Sequence, residues 1–164
     1  MADTTTLLRL FYTFFLGVLL AVFVGVGIHT FYQGPKAPEF PVALNTYGKD
    51  ARLTPEQIIA QKQWDQKTNA YNKAVKPYSR NVSTIALGIA ILFLAVSIAL
   101  EKKIKIIADG IMLGGLFTLL YSIGRGFVSE NNGYVFAVLS LSVIVVLYLG
   151  FHRFVHPSTL QKAV

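Results

Sequence analysis

The chain contains no cysteine. That excludes disulfides, thiolate metal sites and cysteine nucleophiles together. Charge is also scarce: 14% of the 164 residues are Asp, Glu, Lys or Arg, against about a quarter in a soluble domain. Acids are the rarer sign, with 8 Asp and Glu facing 15 Lys and Arg for a formal charge of +7. Proline occurs six times and never inside the long apolar runs. Motifs that carry common chemistry are missing as well. There is no Gly-rich phosphate loop beside Lys-Ser/Thr, no His-Glu-x-x-His and no Gly-x-Ser-x-Gly. No catalytic, cofactor-binding or metal residue is assigned, and an enzyme is not expected.

Apolar residues are plentiful, at 54% of the chain. In water they would leave large apolar patches exposed, so lipid is the expected solvent for much of the surface. Leu10 to Tyr32 is an uncharged run of 23 residues, where roughly 20 cross the hydrocarbon core. It exceeds a signal-peptide apolar region of roughly 7–15 residues, and is expected to be an uncleaved span. Further runs cover about 81–100, 104–123 and 134–151. Backbone groups in lipid must be satisfied within the segment, so all four are expected as helices. Short connections between the last three favour antiparallel neighbours. The expected fold is all-α, a single polytopic membrane domain built as a four-helix transmembrane bundle with one long extramembrane loop.

That loop, about 33–79, opens with Pro35, Pro38 and Pro41, which favour extended chain. A helix over about 55–75 is signalled by Thr54-Pro55-Glu56-Gln57: a cap, a proline at the first helical position and a capping-box partner. Trp64, Tyr71 and Tyr78 recur every seventh residue beside Ala60 and Ala74, a stripe that resembles a helix–helix seam. So short a segment builds no core of its own, so the stripe is expected to meet a membrane surface, the bundle or another subunit. Pro77 is expected to kink the chain or restart it into the second span.

Charge placement bears on partners and orientation. The basic residues sit in connections and at helix ends, which suits lipid headgroups and topology control, not nucleic acid. Lys102, Lys103 and Lys105 form the densest cluster next to a span, so both termini are expected on the cytoplasmic side. The opposite count, eight Lys and Arg in the long loop, is offset there by Glu39, Asp50, Glu56 and Asp65.

A few polar residues are functional candidates. Asp109 lies within or near the third span, where an acid can mark an ion or proton site; one turn from Lys105, it can equally form an ion pair at headgroup level. Arg125, between Gly124 and Gly126 and near Glu130, suits an anionic headgroup, a pore mouth or simple snorkelling to the interface. His152 and His156 share a helix face, but a zinc site needs more ligands than that pair. Spans two and four carry Ser83, Thr84, Ser97, Ser140 and Ser142, expected to bond back to their own helices. Gly17, Ala21 and Gly25, and again Gly110 and Gly114, repeat at every fourth residue, a spacing that lets helix backbones approach. Leu119 is expected to face lipid.

The stretches Gly34-Pro35-Lys36-Ala37-Pro38-Glu39-Phe40-Pro41 and Ile106-Ile107-Ala108-Asp109-Gly110 resemble small bacterial four-span membrane proteins. That resemblance implies a layout and a bacterial membrane, but no activity. The long first loop also resembles claudin-like and large-pore channel proteins of animals, whose loop cysteines have no counterpart here. The leading expectation is a non-enzymatic membrane protein acting in structure, assembly or protein–protein interaction, as a homo-oligomer or with a membrane-protein partner. An oligomeric channel or pore for ions or small solutes is the alternative.

Overall fold

Thr54 caps a helix as its sequence predicts. Its Oγ1 accepts from Gln57 N (3.3 Å) while its own N–H donates to Gln57 Oε1 (3.0 Å). In the computed structural model, which describes residues 4–44 and 54–155, this cap opens a helix that runs unbroken from Pro55 to Leu100. We label it α2; it follows α1 (Thr4–Phe31) and precedes α3 (Lys105–Val128) and α4 (Asn132–Gly150). Each is long and apolar enough to cross a membrane. The protein is thus an all-α, multi-pass four-helix membrane bundle.

Pro77 does not restart the chain as a new helix: it lies inside α2. Proline removes the bond to the carbonyl four residues earlier, here that of Lys73. Both Lys73 and Pro77 are exposed, so water can take up that carbonyl and the helix survives. The loop helix expected over 55–75 and the span over 81–100 are therefore one element of 46 residues, about 69 Å long.

The bundle is organised around α3. It packs extensively on α2 and on α1, and more lightly on α4, while α1 and α2 meet over a smaller cluster of Val24, Ile28, Val82 and Ala86. Glycine decides this. A Cβ added to Gly110 would lie 2.5 Å from Leu16 Cδ2, one on Gly114 2.9 Å from Leu20 Cβ, and one on Gly17 2.9 Å from Leu113 Cβ. On the other face of α3, a Cβ on Gly115 would meet Leu94 Cδ2 at 2.8 Å and the Ala90 carbonyl at 3.2 Å. The small residues let leucines of α1 and α2 seat against the α3 backbone from both sides. Gly25 differs from the other candidates: nothing lies within 4 Å of a Cβ there. It is on an open surface, not at a crossing.

Two further expectations are corrected. Leu119 faces inward, 4% exposed, in a cluster with Ala90, Leu94 and Leu149. Ser83 and Ser97 bond across helices, not to their own. Ser83 Oγ donates to the Ser122 carbonyl and Ser122 Oγ to the Ser83 carbonyl, each at 2.8 Å, while Ser97 Oγ donates to the Ala108 carbonyl at 2.7 Å. All three hydroxyls lie between α2 and α3, so the nearest carbonyl belongs to the neighbour. Thr84 and Ser142 do bond back, to Arg80 and Val138.

The turn from α3 to α4 is only Ser129–Asn131. Glu130 takes the left-handed conformation (φ 52°) that ends helices, and Asn131 then caps α4 through Tyr134 N at 3.0 Å.

Candidate functional site

Polar side chains gather at the two ends of the bundle and along the part of α2 that outruns it. At one end, α1 finishes at Phe31, α3 at Val128 and α4 begins at Asn132. All three meet α2 between Lys76 and Thr84. Tyr32 stacks on Tyr78 with ring centroids 5.2 Å apart, and Tyr78 Oη donates to the Tyr32 carbonyl (3.0 Å). Asn81 Nδ2 donates to Tyr32 Oη at 2.9 Å, and Tyr134 Oη donates to the Arg80 carbonyl at 3.1 Å. Such tyrosines, apolar in body and wet at the tip, suit the headgroup level of a bilayer.

Arg125 belongs to this belt. Its guanidinium lies 5.2 Å from the Tyr78 ring centroid. Glu130 does not pair with it, being engaged instead by Lys76 Nζ at 2.6 Å. Arg125 Nε is buried without a hydrogen-bond partner among the described residues. Beside it runs a groove of about 580 Å³ between α1 and α3. Ala21 and Gly25 line this groove, so two of the residues expected to pack helices together instead leave space between them.

Beyond Lys76, α2 continues past the ends of the other helices. Residues 55–75 make about six turns, roughly 30 Å, over which the described contact is with the connection from α1. Phe40 meets Trp64 edge-on at 5.4 Å. The aromatic stripe is thus partly satisfied within the chain: Trp64 by Phe40, and Tyr78 by Tyr32 and Arg125. Tyr71 is half-buried between them. The stripe faces inward because the proline-rich connection lies along it. Apolar side chains on and beside this projection stay in the open, with Ile59 58% and Val42 79% exposed. Ile58 and Phe40 are exposed as well.

At the opposite end, Asp109 pairs with Arg153 and not with Lys105. Arg153 Nε is 3.9 Å from Glu101, and its Nη1 is 3.1 Å from Met112 Sδ. Arg153 sits on a π-helical turn, Phe151–Val155, that closes α4 and brings the guanidinium in over α3. Its side chain is 11% exposed. The sequence hid this contact because a partner one turn away is visible in a string of letters and one from another helix is not. Glu101 approaches Arg153 and not His152, whose ring lies 6.2 Å from Tyr148; His156 lies outside the described residues. Among the described residues no three His, Asp or Glu side chains could hold a metal.

No protein-family model matches the chain, and no curated protein or solved structure is detectably similar to it.

Proposed function

We propose that this is a non-enzymatic assembly protein of a bacterial cytoplasmic membrane, presenting the projecting end of α2 to another membrane protein or to a second copy of itself. The observation that carries this reading is the continuity of α2. A single helix extends about six turns beyond its bundle, continuous with its spanning part, with Ile58, Ile59 and Val42 exposed on it and beside it. Such isoleucines have no use in a spacer surrounded by water, and suit the apolar centre of an interface. The charged surface around them, including Lys62, Asp65, Lys67 and Lys73, suits a polar rim.

The hydroxyls buried between α2 and α3 support assembly over conduction. The hydroxyls of Ser83, Ser97, Thr118 and Ser122 are each bonded to a backbone carbonyl. A conducting path needs polar groups free to exchange partners with a passing solute. Orientation follows the lysine cluster at 102–105: termini in the cytoplasm, the projection outside. With no native cysteine, single cysteines at 62 and 103 decide it in intact cells. An impermeant reagent should label 62 and spare 103; the reverse pattern overturns the orientation.

The assembly reading is tested by native mass spectrometry of mildly solubilised protein. A complex heavier than one 18.1 kDa chain is expected, reduced to the single chain by I58E with I59E. A wild-type protein that flies as one chain without partner contradicts it.

A further inference from the structure

We propose that the groove between α1 and α3 holds an anionic phospholipid, its phosphate on Arg125 and an acyl chain along Ala21 and Gly25. This does not rest on the assembly reading.

Arg125 is a permanent cation in the last turn of a membrane helix. A snorkelling arginine reaches for water with its head. Here the guanidinium instead lies over the Tyr78 ring, its Nε is buried, and no acid pairs with it among the described residues. Arg125 as a whole is half-buried, and even a partial withdrawal of a cation from water favours a counter-charge beside it. The neighbouring acid, Glu130, is held by Lys76, so the fold leaves that place to an anion from outside. A guanidinium is a planar fork of donors matched to a phosphate. His29 lines the same end of the groove and supplies a second donor.

The shape of the groove selects a lipid over a free anion. From His29 it runs inward along α1 past Gly25 to Ala21, about 12 Å along the axis. Gly25 leaves that track clear, since nothing stands within 4 Å of where its Cβ would be. Val22 and Val26 flank it and are exposed at 55% and 61%, so it opens sideways to the bilayer. A phosphate therefore meets its cation at the headgroup level while a chain lies where the small residues are. Small residues at 21 and 25 thus keep a lipid track open, although their spacing resembles a helix crossing.

The test uses the full chain in mild detergent, titrated with phosphatidylglycerol or phosphatidylcholine of identical acyl chains, or with inorganic phosphate. Binding is read by native mass spectrometry and by the shift in melting temperature. Phosphatidylglycerol is expected to bind about tenfold more tightly than phosphatidylcholine, whose choline cation offsets the phosphate charge beside Arg125. R125A should abolish that preference and R125K retain part of it. G25L should weaken phosphatidylglycerol binding without lowering the melting temperature of the lipid-free protein. Equal affinity for the two lipids, a preference unchanged in R125A, or tight binding in G25L overturns the proposal. So does inorganic phosphate alone reproducing the stabilisation, which would make the site one for a free anion.

Discussion

Glycines that look alike along the chain differ sharply in what surrounds them. Gly110 and Gly114 are pressed by Leu16 and Leu20, whereas Gly25 faces open space. Gly114→Leu should therefore cost about 1–3 kcal/mol or more by forcing α1 and α3 apart, and Gly25→Leu close to nothing. Leu119→Ala, which hollows the cluster with Ala90 and Leu94, should cost about 2 kcal/mol or more. Melting temperatures in one detergent rank the three. Gly25→Leu as damaging as Gly114→Leu would contradict the packing described. By comparison the reciprocal Ser83–Ser122 bridge is a small term, since hydrogen bonds between membrane helices average about 0.6 kcal/mol. The glycine contacts decide the arrangement. At the other end of the bundle, Asp109 is what draws Arg153 inward. Asp109→Asn should leave the guanidinium with Glu101 at 3.9 Å and loosen the turn Phe151–Val155. Faster amide hydrogen exchange over 151–155, with exchange in α2 unchanged, is the expected result.

At the scale of elements, the membrane-spanning helices were legible in the sequence and their partners were not. Apolar runs of about twenty residues must be helical in lipid, so the spanning parts of α1 to α4 follow from composition alone. That α1 packs more on α3 than on α2 depends on which leucine meets which glycine, and spacing does not carry that information. The cap at Thr54 was readable because its two bonds are local. The fate of Pro77 was not, because its cost depends on whether the carbonyl it frees is wet. Of the candidate site, Asp109 and Arg125 stood out as charges in apolar runs. Their partners Arg153 and Tyr78 come from other helices and left no mark at short range. The unbroken α2 is itself measurable. Spin labels at 62 and 83 on the otherwise cysteine-free chain should lie about 32 Å apart along the axis in a narrow distribution. A shorter, broad distribution would mean that the helix breaks at Pro77.

For the whole molecule, the design is a closely packed α1–α3–α2 core, a lightly attached α4 and one helix that leaves the bundle. On the proposed reading, the core gives the projection a base and the projection is what the protein holds out. On this account the bundle is a mount and the exposed end of α2 is the working surface. The most direct test is photo-crosslinking in intact membranes, with a crosslinking side chain placed singly at 59, 62 or 73 and, for contrast, at 147 on the lipid-exposed face of α4. The account predicts a discrete protein adduct from 59 that is lost with Ile58→Glu, and none from 147. Adducts from 147 with none from any position on the projection would contradict it.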